Sequence, residues 1–426
     1  MPKKEIFDNI IGYPNIKESL KRLLDVLNNP EKYENLTSSI PHGLFLYGPP
    51  GIGKTSFSKE FINNTKRKSY IIRKTKADGD FINYMSKIFK EAKANQPSLI
   101  LLDDLDKFAE SDNTNNSEEF VAVQSFIDDI KEYDIFIIAT ANEKNLIPTS
   151  LLRSGRFDYI IKMDNPNNTD SFAIIKYYLN NKKLNKDVNI NNLSLILTGS
   201  SCADLEKVCN QAGIYAGFAN EKDINMNELI KASLEIIYKA NIEDLQKEDE
   251  YTIRIAYHEA GHALISELLK PGSVSFITVA KSNDNINGLT IYKKDDNYAK
   301  DITLMQNRVK TFLGGKAATE VIYHLCDTGS KSDLTNAFTT ARIFVDEYCL
   351  FDFNSCITGY DENSQKVKEN KDDNANKLIT TYYSEVKELL LKNRTTLDNL
   401  AYQLKEKKIL FQDDIATIIN NTNRVD

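Results

Sequence analysis

Apolar positions along the chain fall into two regimes. In the first, short unbroken apolar runs at 43–47, 99–102 and 135–140 end in polar or glycine-rich turns. Runs of that length and composition read as buried strands of a parallel sheet. The run at 43–47 leads through a glycine-rich segment into a helical pattern that lasts to about residue 63. In the second regime, from residue 252 onward, helical spacing dominates. Two short segments, 276–280 and 288–292, read as strands, and 376–419 reads as amphipathic helix. Residues 242–251 are charged and predict a linker or helix edge, and the polar stretch 363–375 predicts a mobile loop. Asparagine clusters at 113–116, 167–168, 180–181 and 191–192 predict solvated loops and turns.

The chemistry of the first regime sits where its strands end. The first strand enters Gly48-Pro49-Pro50-Gly51-Ile52-Gly53-Lys54-Thr55-Ser56, a G-x-x-x-x-G-K-T loop followed by helix. The glycines let backbone N–H groups converge on phosphate oxygens, and the helix start adds positive dipole. Lys54 is expected to reach the β- and γ-phosphates and Thr55 to ligate Mg²⁺. The second strand ends in Asp103-Asp104, where an acid beside the phosphate loop holds Mg²⁺. The third ends at Ala141-Asn142, whose amide is placed to position an attacking water. Arg153 and Arg156 follow in Leu-Leu-Arg-Ser-Gly-Arg-Phe-Asp, spaced as surface charges or as arginine fingers for a neighbouring subunit.

The second regime carries His258-Glu259-Ala260-Gly261-His262. On a helix, residues four apart share a face, with Cβ atoms roughly 5–6 Å apart. That pairs two imidazoles as metal ligands, with a glutamate beside them to activate water. Ala260 and Gly261 leave room for close approach. Zinc needs a third protein ligand, and on chemistry alone Asp333, Asp327, Glu320 and His324 all qualify.

Composition narrows the classes. At 426 residues the chain has room for two or three domains. Net charge is −7 with both signs intermixed, which argues against a nucleic-acid partner because no basic stripe dominates. Five cysteines, an odd number without Cys-x-x-Cys, predict reduced thiols, with Cys202 and Cys209 on one helical face as core packing. No apolar run approaches the ~18–20 residues that span a bilayer. The first five residues lack the apolar stretch of a signal peptide.

Taken in order, Phe7-Asp-Asn-Ile-Ile-Gly12, the phosphate loop, the Asp103 strand, Ala139-Thr-Ala-Asn142, Ser-Gly-Arg-Phe-Asp158 and Thr198-Gly-Ser-Ser-Cys-Ala-Asp-Leu205 resemble the AAA+ ATPases. With the downstream histidine pair, the chain resembles the FtsH-type ATP-dependent zinc metalloproteases from about residue 7 to its end. The resemblance implies an α/β AAA+ P-loop ATPase domain at 1–163, a small helical lid at 164–243 and a mainly α-helical zinc metallopeptidase domain at 244–426. It implies a homohexamer that unfolds and degrades unfolded or damaged polypeptides. Its cofactors would be ATP, Mg²⁺ and Zn²⁺, with Ile11 and Gly12 near the adenine. Arg153 and Arg156 would act in trans. It also selects Asp333, in Thr328-Gly-Ser-Lys-Ser-Asp-Leu334, as the third zinc ligand, and leaves His324 as a helix-end or surface residue. A non-proteolytic remodelling factor or nucleotide-locked scaffold with structural zinc is the alternative, against which Glu259 stands.

Three features depart from the family pattern. Asp104 stands where a glutamate is usual, and its side chain is shorter by about 1.5 Å, which predicts slow ATP turnover with nucleotide binding retained. The segment 73–79 lacks the aromatic of a pore loop. That leaves Lys74 and Lys76 to hold substrate, or Phe81 if the alignment shifts slightly. Family members carry amino-terminal membrane spans. Here the ATPase pattern begins almost immediately, so the chain is expected to be cytoplasmic, or the cytoplasmic-facing part of a membrane-anchored protein.

Overall fold

The computed structural model describes residues 6–33, 36, 40–74, 80–108, 117–153, 155–240, 250–281, 287–293, 302–325, 328–351 and 365–422. The chain divides into two compact units, Met1–Leu229 and Ile230–Asp426. Among the described residues no helix is long and apolar enough to cross a membrane.

The first unit is built on a parallel five-stranded sheet. Its strands are β1 (Gly43–Tyr47), β2 (Lys68–Arg73), β3 (Ser98–Asp103), β4 (Ile135–Ala141) and β5 (Tyr159–Lys162), in the order β2-β3-β4-β1-β5. The three expected strands are its centre. β3 and β4 are buried along their whole length. Alternation then divides their side chains between two layers. Leu44, Leu46, Leu99, Leu101, Phe136 and Ile138 face the helices Pro14–Asn28 and Lys54–Asn63, meeting Leu20, Leu24, Phe57 and Phe61. Phe45, Ile100, Leu102, Ile137 and Ala139 face the helix Phe81–Ala94, meeting Met85 and Phe89. Phe81 is buried against Phe108 in the same layer, with ring centroids 5.1 Å apart. It is a core residue, so it does not serve as the missing pore aromatic. Residues 75–79, including Lys76, lie outside the described residues. Lys74 is paired with Glu119 at 2.8 Å. Because the strands are parallel, the carboxyl ends of β1, β3 and β4 emerge on one edge, which gathers the phosphate loop, Asp103 and Asn142.

The helices that follow are capped by side chains. Asn167 accepts from Asp170 N at 2.9 Å and starts Asn168–Leu179, and Asn189 accepts from Asn192 N at 3.2 Å and starts Ile190–Ile196. Asn191 and Asn192 therefore sit inside a helix and not in the expected turn, carried there by the buried Leu193 and Ile196. The cluster at 113–116 lies outside the described residues. Cys202–Phe218 opens with a capping box between Ser201 and Asp204.

In the second unit the helix Glu250–Leu269 is the centre. It crosses the helix Ile302–Tyr323 where Gly261 meets Gly314, and a Cβ on Gly261 would stand 2.5 Å from the Gly314 carbonyl oxygen. Only glycine permits that approach of two backbones. Around this pair pack the helices Lys331–Asp346, Gln365–Lys392, Arg394–Lys407 and Gln412–Thr422. An antiparallel sheet completes the unit, with β6 (Val274–Lys281) between β7 (Asn287–Tyr292) and β8 (Ile409–Phe411). Three expectations change here. Residues 365–375 are helical, because Lys371 and Ala375 bury against the unit despite the polar composition around them. The stretch 376–419 is interrupted by β8, which pairs with β6. Cys349 is disulfide-bonded and not the reduced thiol expected, so the lack of a Cys-x-x-Cys spacing did not exclude a bridge made by the fold. Cys209 is buried and Cys202 half-buried, both as free thiols.

Candidate metal centre and nucleotide site

The helix Glu250–Leu269 presents His258 and His262 on one side, and Asp333 arrives from the first turn of Lys331–Asp346. The two Nε2 atoms are 3.1 Å apart, and Asp333 Oδ2 lies 3.2 Å from His258 Nε2 and 3.3 Å from that of His262. Three ligand atoms held tetrahedrally at ~2.0–2.1 Å from one zinc ion would be about 3.3 Å from each other. The donor set and its spacing therefore fit zinc. Among the described residues this is the group of three that could hold a metal ion.

Neighbouring groups fix the ligands. His262 Nδ1–H donates to the Thr311 carbonyl at 2.7 Å, which selects the tautomer whose Nε2 lone pair points into the cluster. Gly315 lies against both rings, and a Cβ there would stand 2.6 Å from His258 Nε2. Burial pushes the Asp333 carboxyl upward. The hydrogen bonds and charges of the two histidines outweigh it and hold the group well below the usual carboxylate range. Burial likewise draws His262 down, but Asp333 and then Glu259 carry it up to about 9. Glu259 is itself buried, and desolvation raises its pKa against the opposing charges of His258 and His262. Thr290 Oγ1 of β7 donates to Glu259 Oε2 at 2.7 Å.

The other candidate ligands are elsewhere. Glu320 is held down to about 2 by hydrogen bonds from Lys387 and Tyr383. His324 is exposed just past the end of the Ile302–Tyr323 helix, and Asp327 lies outside the described residues.

At the nucleotide site Lys54 is the first residue of the helix after the loop, and its Nζ donates to Gly48 O at 2.6 Å, Pro49 O at 2.8 Å and Asn142 Oδ1 at 3.1 Å. Burial lowers its pKa against the charges of Asp106, Asp104 and Asp103. Thr55 Oγ1 donates to Asp103 Oδ1 at 3.1 Å, bringing together the hydroxyl and carboxylate that suit Mg²⁺. Asp104 has left-handed backbone (φ 58°), and its carboxylate is 2.8 Å from Lys107 Nζ and 3.4 Å from Arg73 Nη2. Gly12 backs onto Asp170, whose Oδ1 accepts from Tyr13 N at 2.9 Å. Ile52 is buried, and the Gly51 carbonyl accepts from Ala203 N at 3.0 Å, so the helix Cys202–Phe218 docks on the phosphate loop.

The two arginines differ. Arg156 forms a two-pronged pair with Asp128, at 2.9 and 2.7 Å, and also donates to the Ser150 carbonyl. Arg153 is exposed and has no ion pair among the described residues.

Four residues in these sites were not singled out by sequence. Thr140 bridges Asp103 Oδ1 (2.8 Å) and Asp104 N (2.9 Å). Asp106 Oδ2 accepts from Asn142 N at 3.0 Å and Nδ2 at 2.9 Å, leaving Oδ1 buried without a protein partner. Thr290 and Thr311 orient Glu259 and His262. A third acid two residues after Asp104 was the one legible signal; threonines within strands and helices carry none.

Two family matches cover most of the chain. Residues 44–165 match the ATPase family associated with various cellular activities (AAA), and residues 245–418 match peptidase family M41. ATP-dependent zinc metalloprotease FtsH 2 of Thermoanaerobacter sp. (strain X514) is 28% identical over 431 residues, covering 98% of this chain and 83% of that protein. ATP-dependent zinc metalloprotease FtsH 3 of Phytoplasma mali (strain AT) is 29% identical over 434 residues, with 98% and 71% covered. ATP-dependent zinc metalloprotease FtsH of Karelsulcia muelleri (strain DMIN) is 29% identical over 446 residues, with 97% and 71% covered. An ATPase segment followed by a peptidase segment, in one order along almost the whole length, places this chain in the family of FtsH-type AAA+ ATP-dependent zinc metalloproteases.

Proposed function

We propose that this enzyme cleaves unfolded or damaged polypeptides at zinc held by His258, His262 and Asp333, with Glu259 as general base, in a cytoplasmic ring of six copies. The observation that carries this reading is the convergence of three ligand atoms at 3.1–3.3 Å beside a buried glutamate. Zinc, when bound, supplies the Lewis acidity that makes water nucleophilic near neutral pH. Glu259 takes the proton of the attacking water and later delivers it to the leaving amine. Its burial favours the protonated state between those two transfers. Thr290 fixes one carboxylate oxygen for that work. β7 lies at the edge of the described sheet, next to Glu259, where an extended substrate backbone can pair with little regard to sequence.

In the ATPase, Lys54 would reach the β- and γ-phosphates, and Thr55 and Asp103 would hold Mg²⁺. Backbone groups of 48–56 cradle the phosphates, and Ile11 and Gly12 border the adenine. Asn142, steadied by Asp106, positions the attacking water, and Asp104 is its base. Arg153, exposed and unpaired among the described residues, is the finger offered to a neighbouring subunit. Arg156 works within its own subunit, because its guanidinium is committed to Asp128.

Casein degradation measured with and without ATP and a zinc chelator, with Glu259→Gln alongside, tests the reading. We expect degradation that requires ATP and zinc and is abolished by Glu259→Gln, while that variant keeps its zinc and its ATP turnover. Degradation indifferent to Glu259→Gln sinks the assignment.

A further inference from the structure

Tyr292 is a polar residue of β7 that the chemistry above leaves without a task. Side chains alternate along a strand, so Gly288, Thr290 and Tyr292 share one face. The irregularity between Val274 and Phe276 belongs to the partner strand β6, and β7 keeps its alternation. That shared face lies on the base. A Cβ at Gly288 would stand 2.5 Å from Glu259 Oε1, and Thr290 Oγ1 donates to Oε2 at 2.7 Å. Tyr292 continues the row. The carboxylates of both Glu259 and Asp333 act on its phenol, as does the opposite charge of Arg308. Its ring packs against the hydrophobic core of the unit. Its hydroxyl has no hydrogen-bond partner among the described residues. Tyr292 is half-buried, so its hydroxyl has no protein acceptor to give up and only water to release before it donates to a substrate oxygen. Burial, and after it the two carboxylates, hold that phenol well above its usual pKa, so it keeps its proton.

We propose that the Tyr292 hydroxyl donates a hydrogen bond to the scissile carbonyl oxygen as that oxygen becomes an oxyanion. The inference rests on the assignment of the metal ligands and of Glu259 as base. Water oxygen bonds to the carbonyl carbon, and the π pair moves onto the carbonyl oxygen. Glu259 receives the water proton. Tyr292 transfers nothing, and its hydrogen bond strengthens as charge grows on the oxygen. When the C–N bond breaks, the oxygen pair re-forms the carbonyl and the Glu259 proton goes to the amine. The site thus places a base at one end of the row on β7 and an oxyanion donor at the other.

Tyr292→Phe removes the hydroxyl and keeps the ring, so core packing is retained. The full-length chain, with Tyr292→Phe and Glu259→Gln run in parallel, is assayed on a short unstructured fluorogenic peptide. Bound zinc is counted, and binding of a phosphinic peptide, a mimic of the tetrahedral species, is titrated. We expect Tyr292→Phe to lower kcat roughly 100-fold, with full zinc content and phosphinate affinity weakened in proportion. KM should stay within about twofold of its original value. A kcat equal to that of the unmodified chain, in the presence of an inactive Glu259→Gln, overturns the tyrosine's role alone. Loss of zinc in step with activity also overturns it, since the residue would then be structural. An active Glu259→Gln overturns the site assignment and the tyrosine with it.

Discussion

A single methyl group at position 315 would occupy space that the two imidazole rings already fill, 2.6 Å from His258 Nε2. Gly315→Ala should therefore strip zinc while leaving the helix intact, because alanine is a better helix former than glycine. Bound metal well below one per chain, with unchanged far-ultraviolet circular dichroism, is the expected result. Asp333→Asn removes the negative charge that two histidines stabilise, and zinc content should fall with it; full retention contradicts its role as ligand. At the nucleotide site Asp104 is short by about 1.5 Å relative to glutamate and is engaged by Lys107 and Arg73. Asp104→Glu should raise the steady-state rate of phosphate release and leave nucleotide affinity alone. An unchanged rate would exclude reach as the limit.

Among the elements, the helix Cys202–Phe218 joins local sequence to the nucleotide site. Its capping box satisfies two otherwise orphaned backbone donors, and its next residue, Ala203, donates to the phosphate loop at Gly51. Ser201→Ala should cost about 1 kcal/mol locally, read as faster hydrogen exchange in the first turn of this helix. The elements also show what sequence could and could not convey. β1, β3 and β4 were legible because both their faces are buried, which forces an unbroken apolar run. β2 and β5 expose most of their residues and lack that signature. β8, at three residues, is too short for alternation to register and is recruited by β6. The helix at 365–375 was hidden because its inward residues include Lys371, which is 2% exposed and paired with Asp346 at 3.6 Å. A buried lysine reads as surface until its partner is seen. The histidine pair was legible because both ligands lie on one helix. Asp333 was not, because no local rule relates residues 75 apart.

At the scale of the whole molecule, the contrast between Arg153 and Arg156 bears on assembly. If Arg153 completes a neighbour's site, Arg153→Ala should abolish ATP turnover while leaving nucleotide binding and the fold intact. Mixing that variant into unmodified protein should depress turnover more than in proportion to its share. A strictly proportional decline would place Arg153 outside any neighbour's site. Arg156→Ala, by contrast, should lower thermal stability, because it abandons Asp128 and the Ser150 carbonyl within one subunit. The two units are separate in the chain, and the ligand set belongs wholly to the second. Because His258 and Asp333 are 75 residues apart, a zinc ion held by both would close a long loop and work as a removable cross-link of the peptidase unit. At a free metal concentration a thousand times its dissociation constant, that clasp adds about 4 kcal/mol to the unit that holds it. Calorimetry should then show two melting transitions. Chelation should shift the peptidase unit's transition downward, while the ATPase unit's transition responds to nucleotide and ignores the metal.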